Sequence, residues 1–161
     1  MTALPEAVEL LHRLGMRGWT IGVAESLTGG LLAASLVDVP GASAHLRGAV
    51  VAYATDLKHA ILGVDAALLA RHGPVHPEVA RQMAEGVRTI TGHDGVRADM
   101  GVSTTGIAGP ESPDGQPVGT VHIGVSTPAG ARVVSLVLDG DRDAVRREAV
   151  RQALIAAIDG V

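Results

Sequence analysis

The chain has 161 residues, 47% of them apolar, and a formal net charge of −4 with no long basic run. These are the dimensions of one domain, residues 1–161, able to bury about 70% of the surface that its unfolded form exposes. Phenylalanine is absent and Trp19 and Tyr53 are the only aromatic residues, which argues against base stacking on nucleic acid; the mild negative charge argues against a broad surface for a phosphate backbone. No cysteine is present, so disulfides, thiolate catalysis and a cysteine-based zinc site are excluded.

Pro5 to Arg17 has the spacing of an amphipathic helix, with Val8, Leu11 and Leu14 on one stripe and Gly15 and Gly18 closing it. Trp19 to Ala24 reads as a buried strand, Thr28 to Val37 as a second helix, and Leu46 to Ala54 as a second strand. Thr55 caps a short helix running to Leu62, and another spans Ala66 to Arg71. Pro77 suits the first turn of a longer helix to Ile90. Ala98 to Ser103 is a third strand, and Thr105 to Pro117 is a loop too rich in Gly and Pro for regular structure. Val118 to Ser126 and Ala131 to Leu138 form a hairpin, and Asp141 to Ile158 is the last helix. This order predicts an α/β fold: a three-layer α/β/α sandwich whose mixed sheet includes a C-terminal β-hairpin.

The seven histidines (His12, His45, His59, His72, His76, His93 and His122) show no metal-ligand spacing and read as scattered surface residues. No apolar run reaches membrane-spanning length, and no basic stretch followed by an apolar one opens the chain, so no membrane contact and a cytoplasmic location are expected.

Lys58 is the one lysine among 13 Lys and Arg. An amine can lose its proton when buried and act as a base, whereas a guanidinium stays charged. A solvated lysine on a helix face is the plainer reading of the same residue. Ser26 stands at a strand-to-helix turn before Thr28-Gly29-Gly30, where helix N–H groups suit an oxyanion or phosphate; capping of the helix by Ser26 or Thr28 is the competing role. The turn matches neither a P-loop nor GxGxxG nor the G-x-S-x-G elbow. A serine nucleophile here needs another base, and Lys58 is the only amine side chain. Tyr53 ends a strand five residues before Lys58, so both can point into one crevice across the strand-to-helix turn. Arg142 and Arg146 share a face of the last helix; they either grip a phosphate or pair with Asp141, Asp143 and Glu148. Glu25 and Asp56 are orienting carboxylates or surface charge.

Four segments taken in order resemble one family. They are Ala24-Glu-Ser-Leu-Thr-Gly-Gly30, Tyr53 with Lys58, Thr105-Gly-Ile-Ala-Gly-Pro110 with Pro117-Val-Gly-Thr120, and Gly140-Asp-Arg-Asp-Ala-Val-Arg-Arg147. Together they are similar to the CinA C-terminal domain family, whose stand-alone form is a nicotinamide mononucleotide deamidase. The resemblance implies an amidohydrolase that converts nicotinamide mononucleotide to nicotinate mononucleotide and ammonia, with Ser26 as nucleophile, Lys58 as base and Tyr53 beside them. It implies neither metal nor cofactor, and a homo-oligomer, most simply a dimer. Substrate contacts would fall to Thr28, Gly29, Gly30 and Ser43, to Thr105, Gly106 and Gly109 of the loop, and to Arg142 with Arg146 at the phosphate. The oxyanion is assigned either to the N–H groups of Thr28–Gly30 or to those of Thr105–Gly109.

The chain departs from the family pattern at Leu27, at Gly41-Ala42-Ser43, at Val75-His76, where Val-Ser is usual, and in a shortened Glu111–Gln116 loop. Two other readings stay open: a non-catalytic pyridine-nucleotide sensor tied to competence or DNA damage, and an amidase for a different small phosphorylated amide.

Overall fold

A computed structural model describes residues 3–161. In chain order the elements are α1 (Pro5–Arg17), β1 (Ile21–Glu25), α2 (Leu31–Val37), a 3-10 turn (Ala42–Ala44), β2 (Leu46–Val51), α3 (Thr55–Ala60), α4 (Ala66–His72), α5 (Pro77–Ile90), β3 (Met100–Gly106), β4 (Thr120–Thr127), β5 (Gly130–Val137) and α6 (Arg142–Ile158). The strands make one sheet in the order β2-β1-β3-β4-β5. β2, β1 and β3 run parallel, while β4 is antiparallel to both β3 and β5. This is the expected α/β class with a mixed sheet and a C-terminal hairpin.

Alternation along the central strands decides the two layers of helix. Ile21, Val23, Met100, Val102, Val121, Ile123 and Val125 point to one face and pack with α1, α2 and α6. The opposite positions are small: Gly22, Gly101, Ser103 and Gly124 face α5. A Cβ added at Gly101 would lie 2.0 Å from the Ala84 carbonyl oxygen, and one at Gly124 2.2 Å from that of Ala80. The Ser103 hydroxyl donates to the same Ala80 carbonyl at 2.6 Å. The long helix therefore rests on the sheet at backbone distance, which a core of aliphatic residues without phenylalanine permits.

Several boundaries differ from the sequence reading. The strand expected from Ala98 begins at Met100 and runs on to Gly106, taking the first residues of the expected loop into the ladder with β4. Thr55 makes no capping bond; Ala54 occupies that position. Asp65, His76 and Asp141 instead cap α4, α5 and α6, accepting from Ala67, Glu78 and Ala144 N–H groups respectively. The imidazole of His76 thus does the work of the absent serine. His122 is not a surface histidine: it is only 8% exposed, and burial, with His76 close by, pushes its pKa down.

The connection from β1 to β2 passes through α2 on one face, and that from β2 to β3 passes over the other face through α3–α5. In the strand order β1 leads outward to β2 and β3 leads the opposite way to β4, so the chain leaves these two neighbours in diverging directions. A crevice opens at the carboxyl ends of such strands, the usual seat of a ligand in an α/β sheet.

Candidate active site

Ser26 stands at that crevice, one residue beyond β1, with its N–H donating to the Thr104 carbonyl of β3 at 3.1 Å. The next four residues form a turn rather than the expected start of a helix. Gly29 N–H donates back to Ser26 O, and Gly29 and Gly30 have φ of 59° and 100°, values open to glycine without strain. The cause of the late helix start is Glu25. Its fully buried carboxylate accepts from the N–H groups of Gly30, Leu32 and Ala33 at 3.0, 3.1 and 2.9 Å. The N-terminus of α2 is therefore already occupied by a carboxylate and offers nothing to a phosphate or oxyanion. Thr28 does not cap it either: the side chain is fully buried and its hydroxyl shares a 2.8 Å hydrogen bond with that of Thr104.

Lys58 projects from α3 into the same place and has no exposed surface. Its Nζ lies 3.0 Å from Ser26 Oγ and donates to the Ala52 carbonyl at 2.7 Å. No carboxylate pairs with it among the described residues, and burial lowers its pKa to about 8. In the ammonium form Nζ donates to Ser26. Once neutral, it still donates one N–H to Ala52 and turns its lone pair to the serine hydroxyl, which then donates to it. The fixed carbonyl aims the amine at Ser26 Oγ.

A cavity of about 460 Å³ opens over this pair, lined among others by Tyr53, Thr55, Pro74, Val75, Thr105, Gly106, Ala108, Gly109, Glu111, Asp114 and Arg142. Tyr53 and Lys58 do share one crevice across the strand-to-helix turn. Arg142, the first residue of α6, donates to the Gly109 carbonyl at 2.7 Å and to Tyr53 Oη at 3.2 Å. The Thr105 hydroxyl donates to Pro74 O at 2.7 Å and Gln116 Nε2 to Val75 O at 2.9 Å, so the wall before α5 is anchored from β3 and from the loop. The N–H groups of Leu27, Thr28, Ala108 and Gly109 have no partner among the described residues, and Leu27, Ala108 and Gly109 line the cavity.

Besides the buried Thr28, four expected contact residues lie elsewhere. Ser43 is exposed on the 3-10 turn and is not among the lining residues. Gly29 and Gly30 form the turn behind Ser26 without lining the cavity. Arg146 does not stand beside Arg142 at a phosphate site: one helical turn on, its guanidinium is held by the Leu27 and Thr28 carbonyls. Among the described residues no three His, Asp or Glu side chains converge in a way that could hold a metal ion. A second cleft of about 390 Å³ lies between Leu4, α2 and α6; its one serine, Ser35, donates its hydroxyl to Leu32 O at 2.7 Å.

Residues 4–159 match the family model described as the CinA C-terminal domain. The chain belongs to that family. It is 50% identical over 145 residues to a CinA-like protein of Frankia casuarinae, covering 90% of this chain and 32% of that protein. A CinA-like protein of an Anaeromyxobacter strain is 50% identical over 153 residues, 94% of this chain and 36% of that one. The chain thus spans about a third of the length of the curated relatives it matches. Among solved structures it is similar to the competence damage-inducible protein A of Klebsiella pneumoniae, with a TM-score of 0.89, 33% identity, and coverage of 96% of this chain and 93% of that one. A CinA superfamily protein of Enterobacter cloacae gives a TM-score of 0.91 at 28% identity, covering 99% and 92%. No helix among the described residues of this CinA domain is long and apolar enough to cross a membrane.

Proposed function

We propose that this domain is an amidohydrolase that converts nicotinamide mononucleotide and water to nicotinate mononucleotide and ammonia through an acyl-enzyme on Ser26. The observation that carries the reading is the buried, carboxylate-free Lys58 amine 3.0 Å from Ser26 Oγ at the floor of an open cavity.

Neutral Lys58 takes the hydroxyl proton as Ser26 Oγ bonds to the carboxamide carbon. The oxyanion that forms meets the partnerless N–H of Leu27, with those of Ala108 and Gly109 across the cavity. The Lys58 ammonium then protonates the departing nitrogen, the C–N bond breaks, and ammonia leaves an ester on Ser26. Water attacks that ester, Lys58 removes its proton, and the serine recovers the proton as nicotinate mononucleotide departs. Tyr53 and Arg142 edge the mouth, where Arg142 supplies the positive charge for a 5′-phosphate.

The test is ammonia release from nicotinamide mononucleotide by the wild type, Ser26→Ala and Lys58→Arg. Turnover by the wild type and near-complete loss in both variants is expected, because arginine cannot become the base. Wild-type turnover by Lys58→Arg sinks the mechanism. Calorimetric binding of the nucleotide with no ammonia released marks a sensor instead.

A further inference from the structure

We infer that Arg146 is a positioning residue for Ser26: its guanidinium holds the two carbonyls that follow the nucleophile and so keeps the turn's N–H groups free for a developing oxyanion. The inference rests on the serine-nucleophile reading above, though not on the identity of the substrate.

Arg146 lies in the second turn of α6, half-buried. Nε donates to Leu27 O at 2.9 Å and Nη2 to Thr28 O at 3.3 Å. The fit is flush, since a Cβ added at Gly29 would sit 3.4 Å from Nη2. The neighbouring arginines of α6 behave differently: Arg147 pairs with Asp143, and Arg151 with Glu6 and Glu148. Among the described residues Arg146 has no carboxylate, and both its hydrogen bonds go to the nucleophile turn.

Peptide units are planar and trans, so a carbonyl fixed on one side sends the N–H of the same unit to the other. Arg146 fixes Leu27 C=O, and that unit's N–H, on Thr28, points away from α6 without a partner. The preceding unit is fixed by Gly29 N–H on Ser26 O, which leaves the Leu27 N–H partnerless beside the cavity. Meanwhile Glu25 binds the N–H groups of Gly30, Leu32 and Ala33, stopping α2 from extending upstream through the turn. A carboxylate at one end and a guanidinium at the other hold Ser26 to Gly30 in a turn, and keep Thr28, Gly29 and Gly30 out of the helix that the sequence predicts. The second carbonyl that Arg146 holds, Thr28 O, belongs to the peptide whose N–H, on Gly29, donates to Ser26 O, so the guanidinium polarises that donor and steadies the peptide that carries the Leu27 N–H.

The test uses an alkyl fluorophosphonate, which reports the nucleophile and its oxyanion donors without any assumption about the natural substrate. Ser26 Oγ bonds to phosphorus, fluoride leaves, and Lys58 takes the hydroxyl proton. The rate is read by intact mass. We expect Arg146→Ala to fall about a hundredfold in labelling rate, the size of effect seen when one oxyanion donor is lost. Arg146→Lys, which keeps the charge but loses the fork, should fall in between. Added guanidinium at tens of millimolar should restore much of the rate in Arg146→Ala while leaving Arg146→Lys and the wild type unchanged. In ammonia release the same variants should lose kcat with KM held.

Labelling of Arg146→Ala at the wild-type rate overturns the inference. So does a loss that guanidinium does not restore and that follows a fall in thermal midpoint, because that pattern means the arginine only holds the fold. A wild type that labels at Ser26 yet releases no ammonia refutes the substrate and leaves the positioning role standing. A wild type that does not label removes the nucleophile and the inference with it.

Discussion

Lys58 has no exposed surface and no carboxylate partner among the described residues, so its charge is held only at a cost, and its pKa falls to about 8. Two consequences follow from that one shift. Activity that needs the neutral amine should rise with pH, kcat/KM climbing through an apparent pKa near 8 and levelling above it. A flat profile from pH 6 to 9 would show that Lys58 is not the titrating base. Stability moves with the same group. The folded pKa lies below that of the unfolded lysine, so between about pH 8 and 10.5 the unfolded state binds more protons and stability rises with pH. Below pH 8 the cost is fully present, about 3 kcal/mol for a shift of this size. Lys58→Met removes that cost and also the bonds to Ala52 and Ser26, each worth about 1 kcal/mol. The variant should therefore be more stable than the wild type by about 1 kcal/mol at pH 7, and the order should reverse by about pH 10.5, where the cost is gone and the lost bonds remain. Urea unfolding at the two pH values measures it; equal stability at pH 7 would mean that the amine is hydrated. The sequence marks this lysine because no other amine side chain accompanies it, but its burial is a property of how α3 docks and has no local signal.

At the level of elements, legibility divides by how local the cause is. Helices α1, α5 and α6 carry their stripe, their Pro5, Pro77 or Asp141 start and their end within their own residues, and their expected limits lie within a residue of those observed. The start of α2 does not, because the deciding group, Glu25, sits on the preceding strand and reaches five to eight residues ahead. No capping spacing encodes that reach, and Glu25 read equally well as surface charge. The same holds for Arg146, which shares a helix face with Arg142 by spacing yet is drawn to the Leu27 and Thr28 carbonyls by tertiary packing. The small residues under α5 are legible only once the sheet is known. They give a sharp expectation: Gly101→Ala places a methyl 2.0 Å from the Ala84 carbonyl oxygen, a rigid neighbour, so α5 must lift. Overpacking of this kind should cost about 3 kcal/mol. The denaturant midpoint should fall with an unchanged slope, and a variant as stable as the wild type would show that the helix can shift freely over the sheet.

Across the whole molecule the site depends on contacts between distant segments. Arg142 opens the last helix, yet it donates to Gly109 in the β3–β4 loop and to Tyr53 after β2. Its position at the cavity mouth, with two of its nitrogens already committed to neutral oxygens, leaves a cation uncompensated by any carboxylate within bonding distance among the described residues. A dianionic phosphate is the ligand such a group would take. Losing one charged contact of this kind should cost about 2 kcal/mol, roughly thirtyfold in kcat/KM. The loss should fall mostly on KM, as for a phosphate held away from the bond being broken and bound alike in ground and transition states. Arg142→Ala assayed side by side on nicotinamide mononucleotide and nicotinamide riboside separates this role from a scaffolding one. The nucleotide should lose the full factor and the riboside, which has no phosphate, much less. An equal loss on both would mean that Arg142 serves the substrate only by tying Tyr53 to the loop at Gly109, and that the phosphate is held elsewhere or not at all.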